Sequence, residues 1–214
     1  MMRMALFDMD GTIFSCKINW RKVRAHIQIS DDSILGAIYQ QKDPESLEKM
    51  RYIESIEREN TICAKIRPGI GVLLNFLKKN RIYSVLVTNN SEINTRYLLT
   101  KHNISFELII TRESGKWKPD PAPFFLAFQS FGVRPEETIS IGDSLLDIQA
   151  SRAAGISEIY IIKSRNTPKA EGIRVVKGFT ELKRLILPEG GDRMSTCRHH
   201  ELQNIPKPIR IPEM

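Results

Sequence analysis

Two carboxylates spaced two residues apart close a short apolar run near the start of the chain, in the segment Ala5-Leu6-Phe7-Asp8-Met9-Asp10-Gly11-Thr12. The run Met4-Ala5-Leu6-Phe7 reads as a buried strand, and Gly11 lets the backbone turn sharply where the strand stops. Side chains of an extended chain repeat with a period of two, so Asp8 and Asp10 point to the same side. Two carboxylates in a partly dry site imply a bound metal, a raised pKa on one member, or both. Such a pair can serve as nucleophile and acid/base. A polar turn with both groups in water would use the same residue types.

Three further stretches supply what phosphoryl transfer requires. The β-branched run Ile82-Tyr83-Ser84-Val85-Leu86-Val87 ends at Thr88-Asn89-Asn90. A loop from Glu113 to Pro121 carries Lys116 and Lys118. The run Thr138-Ile139-Ser140-Ile141 leads into Gly142-Asp143-Ser144-Leu145-Leu146-Asp147. With these residues in view, the chain resembles the haloacid dehalogenase superfamily of aspartate-nucleophile phosphatases and mutases. The resemblance extends to about Leu187, and the four motifs stand in the family's order.

The resemblance implies Asp8 as nucleophile, Asp10 as acid/base, Thr88 as a phosphate-binding hydroxyl and Lys118 as the catalytic lysine. Lys118 is preferred to Lys116 because it directly precedes Pro119. Backbone N–H groups near Met9 and Asn89 would join Asp10, Thr88 and Lys118 in holding phosphate. The implied cofactor is Mg²⁺, with the carboxylates of Asp8 and Asp143 and the main-chain carbonyl of Asp10 as ligands. Asp147, one helical turn beyond Asp143, would hold a metal-bound water or the lysine rather than the metal. Dehalogenases of the superfamily usually lack the second aspartate of the first motif, so Asp10 favours the phosphatase branch. The expected activity is Mg²⁺-dependent hydrolysis of a small phosphorylated metabolite through an aspartyl-phosphate, as in phosphoglycolate phosphatases. A phosphomutase would use the same residues, and a non-catalytic scaffold on this fold would not need all of them.

Composition sets bounds on these readings. With 214 residues, 41% of them hydrophobic, the chain can build one sizeable core with a small insertion. No stretch approaches the roughly 20 apolar residues of a membrane span, and the N-terminus runs straight into a strand, so a cytoplasmic protein without membrane partners is expected. Cys16, Cys63 and Cys197 form no CxxC pair, which suggests neither a disulfide framework nor a zinc site. The net charge of +7 is scattered, with no basic stripe interleaved with aromatics, so no nucleic-acid partner is expected. A small-molecule phosphate ester is the expected partner; the oligomeric state is left open.

The elements that must position the motifs alternate. After Pro68-Gly69 a helix is expected to about Lys79, then the strand from Ile82, and a helix capped by Ser91 to about His102. Phe106 to Thr111 reads as a strand, and Asp120-Pro121 as the cap and first turn of a helix to about Phe131. A strand over Thr138 to Ile141, a helix from Leu145 to about Ala154 closed by Gly155, and a strand over Glu158 to Ile162 follow. Such alternation predicts an α/β fold, a doubly wound, Rossmann-like parallel sheet with helices on both faces. Its ligands bind at the carboxyl ends of the strands, where all four motifs fall.

Between Phe14 and Lys65 the alternation gives way to helical spacing at Ile18, Trp20, Val23 and Ile27, then Ile34, Leu35 and Ile38, then a longer helix from Asp43-Pro44 to about Arg58. The predicted organisation is a core of residues 1–13 and 67–188, a small all-helical cap of residues 14–66 inserted after the first strand, and an irregular, proline-rich tail of residues 189–214. The cap would act as a lid that reads the substrate away from phosphate. Arg21, Lys22 and Arg24 are its candidate anion-reading residues.

Overall fold

In a computed structural model of the protein, residues 1–31, 33–41 and 44–186 are described. The expected tail of residues 189–214 and Asp43 at the start of the long cap helix lie outside the described residues.

Six parallel strands form one sheet: β1 (Met4–Phe7), β2 (Tyr83–Val87), β3 (Leu108–Ile110), β4 (Thr138–Gly142), β5 (Glu158–Ile162) and β6 (Ile173–Val176). Their order in space is β3-β2-β1-β4-β5-β6. The chain therefore leaves the sheet centre in opposite directions from β1 and β4, and the crevice between these neighbours is the switch point where such sheets bind ligands.

The two-residue period of β1 divides the core. Ala5 and Phe7 pack on one face with Leu73 and Leu77 of α4 (Ile70–Lys79), Leu98 of α5 (Glu92–Lys101) and Leu182 of α8 (Phe179–Ile186). Met4 and Leu6 pack on the other with Phe124 of α6 (Ala122–Phe131) and Ile148 of α7 (Leu145–Ala153). Both faces of the sheet centre are covered, which is why its inner strands read as largely apolar runs.

Three helices follow β1: α1 (Trp20–Ile27), α2 (Ile34–Gln41) and α3 (Pro44–Cys63). They have their own apolar cluster of Val23, Ile27, Ile29, Ile34, Ile38 and Ile53. Two linkers join this helical insertion to the sheet and pair with each other. Phe14 and Ile66 form an antiparallel bridge, Ser15 N donates to Lys65 O at 2.8 Å, and Arg67 N donates to Ile13 O at 2.8 Å.

Some elements depart from expectation. The strand expected over Phe106 to Thr111 is reduced to Leu108–Ile110, since at the sheet edge it has only β2 to pair with. The long insertion helix continues past Arg58 to Cys63. Helix α6 starts at Ala122, one residue later than expected, with Asp120 Oδ1 accepting from Ala122 N at 2.8 Å. Strand β6 and helix α8 extend the sheet beyond the last element read from the sequence. No described helix is long and apolar enough to cross a membrane.

Candidate active site

The ends of β1, β2 and β4 are adjacent because β1 pairs with both others, Phe7 standing against Leu86 and Ile141. The residues that follow these strands therefore converge. Asp8 N donates to Ile141 O at 2.8 Å, which continues the β1–β4 ladder to the nucleophile candidate. Next to it the chain turns through Gly11, whose φ of 88° suits glycine. A Cβ at Gly11 would lie 1.9 Å from Asp143 Oδ2, so the missing side chain is what lets the Asp143 carboxylate rest on this turn.

Lys118 is 3% exposed and donates to Asp8 Oδ1 at 2.6 Å and to Asp147 Oδ1 at 2.7 Å. Its backbone is held by Asn89: Asn89 Nδ2 donates to Lys118 O at 2.8 Å, and Lys118 N donates to Asn89 Oδ1 at 2.9 Å. Asp147 Oδ2 accepts from Ser144 Oγ at 2.6 Å, Ser144 N at 3.0 Å and Asp143 N at 3.3 Å. Both Asp147 oxygens are thus engaged by the protein, whereas Asp8 Oδ2 and Asp10 Oδ1 are buried with no hydrogen-bond partner among the described residues.

Burial raises the pKa of Asp8 and of Asp143, and the neighbouring carboxylates add to both shifts. Burial also raises Asp10, partly opposed by its hydrogen bond from Asn90 and by the charge of Lys118. For Asp147 burial acts in the same sense, but Lys118 and Ser144 outweigh it and hold the group below the usual carboxylate range. For Lys118 burial alone would lower the pKa; Asp147 and Asp8 reverse that and keep the ammonium charged.

One cation against three clustered carboxylates leaves excess negative charge, and carboxylate oxygens of Asp8, Asp143 and Asp147 lie within 4.8 Å of one another. The unpartnered Asp8 oxygen and the hard oxygen donors fit a divalent cation such as Mg²⁺. Because Asp147 is already engaged, Asp143→Asn and Asp147→Asn should separate. In metal-free denaturant titrations Asp147→Asn should lose about 3 kcal/mol of stability, as expected when a buried ion pair loses one charge. Asp143→Asn should change stability by less than about 1 kcal/mol, as for a substitution that breaks no buried network. Equal losses would contradict the division of roles.

Thr88 is buried, and its Oγ1 accepts from Asn90 N at 3.1 Å, which leaves the hydroxyl proton to donate outward. Met9 places its side chain in the core, so its N–H alone can be offered to a ligand. Asp8, Asp10, Thr88, Asn89, Lys118 and Asp143 all line a cleft of about 670 Å³, walled opposite by Trp20, Ile34 and Ile53 of the insertion. Arg24 also lines it, while Arg21 and Lys22 are exposed and do not; helix α1 turns only one of the three basic residues inward. Cys16 lines the cleft too, but burial pushes its thiol up to about 12, against a reactive thiolate.

Two residues at the site were not foreseen. Asn90 Nδ2 donates to Asp10 Oδ2 at 2.7 Å, and Arg67 grips Gly11 O through Nε at 3.1 Å and Nη2 at 2.8 Å. The amide directly after the Thr88-Asn89 pair was a visible signal for the first. An arginine bound to a backbone carbonyl 56 residues earlier leaves none.

A family model described as haloacid dehalogenase-like hydrolase matches residues 14–161, well over half of the chain, from a point just beyond Asp8 and Asp10. A phosphoglycolate phosphatase of Nitrosospira multiformis is 33% identical over 114 residues, 52% of this chain and 50% of that protein. An uncharacterized hydrolase of Saccharomyces cerevisiae is 29% identical over 165 residues, 73% of this chain and 75% of that protein. The chain thus spans about half the length of the first relative and three quarters of the second. In fold it is similar to a phosphatase structure from Thermococcus onnurineus, with a TM-score of 0.63 at 22% identity, covering 90% of this chain and all of that one.

Proposed function

The chain belongs to the haloacid dehalogenase-like hydrolases, and on that premise we propose that it hydrolyses a small phosphate monoester with Asp8 as nucleophile and Mg²⁺ as cofactor. The observation that carries this reading is Lys118, buried and bonded to both Asp8 and Asp147 at the switch point of the sheet. Asp8, Asp143 and the Asp10 main-chain carbonyl would hold Mg²⁺, which when bound supplies positive charge against the nucleophile and the phosphoryl oxygens.

The carboxylate of Asp8 attacks phosphorus in line, and the bond from phosphorus to the ester oxygen breaks. Asp10, kept protonated more readily by burial, gives its proton to that oxygen as the alcohol leaves. As a carboxylate, Asp10 then takes a proton from water, whose oxygen displaces Asp8 from phosphorus and restores both aspartates. The Thr88 hydroxyl and the N–H groups of Met9 and Asn89 bind the phosphoryl oxygens, and Lys118 neutralises charge growing on them.

The experiment is release of inorganic phosphate from a panel of phosphoglycolate, sugar phosphates and nucleoside monophosphates. Release should require Mg²⁺ and stop with EDTA. Release from none of the esters overturns the reading, and isomerisation without release identifies a phosphomutase. A cleft of about 670 Å³ leaves room for alcohols larger than glycolate.

The basic residue that reaches this cleft from the insertion should read the alcohol. Arg24→Ala is expected to lower kcat/KM for esters with a second anionic group by about tenfold, the weight of one charged hydrogen bond. Arg21→Ala and Lys22→Ala should leave it unchanged. Equal effects of all three substitutions would show a general surface field instead of a contact.

A further inference from the structure

A second buried ion pair, separate from those of Lys118 but with its Glu57 also lining the cleft, joins the helical insertion to the core. Glu57 of α3 meets the guanidinium of Arg112, which opens a short 3-10 turn, Arg112–Ser114, just after β3. The two side chains are 5% and 4% exposed, and among the described residues the only other ion pair so buried is Lys118 with Asp147. Arg112 Nη1 also reaches Met50 Sδ on the same helix at 3.6 Å.

The other side of Arg112 faces the catalytic turn. Its main-chain N–H donates to Asn90 O at 3.3 Å, and Asn90 Nδ2 donates to Asp10 Oδ2 at 2.7 Å. That is the only hydrogen bond to the Asp10 carboxylate among the described residues. Asn90 Oδ1 meanwhile accepts from Ser91 N at 2.7 Å and Asn94 Nδ2 at 3.0 Å, so the amide cannot turn away without losing both.

We propose that Arg112 is a positioning residue that ties the seating of the helical insertion to the orientation of Asp10, through Glu57 on one side and Asn90 on the other. The inference rests on the assignment of Asp10 as acid/base. A buried pair of this kind has no cheap half-open form, because separating the partners in the dry interior leaves two uncompensated charges. The insertion is therefore either seated, with Arg112 fixed, or lifted far enough for both groups to reach water. Only the seated form holds the loop that aims Asp10. Misplacing a reacting group by about 1 Å costs on the order of 10²-fold in rate, so coupling through one amide is enough to gate proton transfer.

The test uses the full chain with Glu57→Leu and Arg112→Met together, which replaces the pair by apolar side chains without leaving a buried charge. Turnover is compared with wild type in Mg²⁺ on p-nitrophenyl phosphate, whose leaving group needs no proton, and on glycerol phosphate, whose leaving group does. The expected result is a loss of about tenfold or more in kcat/KM for glycerol phosphate and less than about threefold for the aryl ester, because kcat/KM ends at release of the alcohol and leaves out the later step, shared by both esters, in which Asp10 takes a proton from water. Arg112→Lys, which keeps the charge, should lie between wild type and the double variant. Equal losses on both esters, or none on either, overturn the proposal.

Hydrogen exchange of the metal-free proteins gives a readout independent of activity. The amides of residues 88–91 should exchange about tenfold faster in the double variant, and unchanged exchange also overturns the proposal. If the double variant does not fold, Arg112→Lys, which keeps a charge against Glu57, carries the test, with losses in the same order between the two esters and faster exchange at residues 88–91. If wild type releases phosphate from no ester, the phosphatase reading fails, and the exchange comparison still decides whether the insertion is coupled to the Asn90 loop.

Discussion

Asp8→Asn should abolish phosphate release, with a loss of roughly 10⁴-fold or more, the scale seen when a covalent nucleophile is removed. The amide keeps the shape of the carboxylate and can still accept from Lys118 through its carbonyl oxygen, so the cleft stays assembled. It is neither anionic nor able to form the acyl-phosphate bond to phosphorus. The same change removes a charge whose burial is unfavourable in the metal-free protein. The metal-free thermal midpoint of the variant should therefore be at least as high as that of wild type, while its rise on adding Mg²⁺ should be smaller. Residual turnover within tenfold of wild type would exclude Asp8 as nucleophile; a lower metal-free midpoint would show that its bond to Lys118 outweighs its burial.

Lys118→Met should have the second largest effect, and on two separate quantities. Methionine matches the length of the lysine stem but removes the one cation that, among the described residues, pairs with this cluster of three carboxylates within 4.8 Å. Breaking a buried ion pair from one side costs about 3–5 kcal/mol, so metal-free unfolding should shift by that much. Added Mg²⁺ should recover part of the loss, because a cation again faces Asp8 and Asp143. Activity should not recover with it. In the proposed mechanism the lysine acts on charge that grows during the reaction, and removal of such a donor costs on the order of 10²–10³-fold in kcat. Recovery of full activity with stability would make Lys118 a structural residue only.

The sheet was legible from sequence where burial on both faces produced apolar runs. Strands β1, β2, β4 and β5 are of this kind, and the motifs of Asp8, Thr88 and Asp143 were visible as the polar residues that end the first three runs, whereas Lys118 was visible only on its loop, before Pro119. Strand β6 is not. Ile173–Val176 lies at the sheet edge with two of its four residues exposed, so neither a continuous run nor a clean alternation marks it. Helix α8 carries Phe179 and Leu182 at helical spacing and could have been read from that pattern.

The candidate site divides the same way. Asp8, Asp10, Thr88, Lys118, Asp143 and Asp147 follow strands or helix starts, and parallel pairing carries them together whatever lies between. The contacts of Arg67 with Gly11 and of Arg112 with Glu57 join residues about 55 positions apart across element boundaries. Their partners are a carbonyl present at every residue and one of many glutamates on a charged helix, so nothing local distinguishes them. Arg21, Lys22 and Arg24 show the limit in reverse. Three basic residues in four positions must point in different directions around a helix, and composition does not tell which one turns inward.

The linkers that pair at the base of the insertion bear on how such a chain can change over generations. About fifty residues leave the sheet after Ile13 and return before Arg67, and the two strands of that doorway touch, Ile13 O accepting from Arg67 N and Lys65 O from Ser15 N. Seen from the sheet, everything beyond the doorway has the geometry of a hairpin loop, whose closure cost rises only slowly with length. Helices can be lengthened, shortened or exchanged there without moving Asp8 or Asp143. On the proposed reading, a lineage can thus try new alcohols against an unaltered set of Asp8, Lys118 and Asp143, keeping from the old insertion only a carboxylate able to reach Arg112.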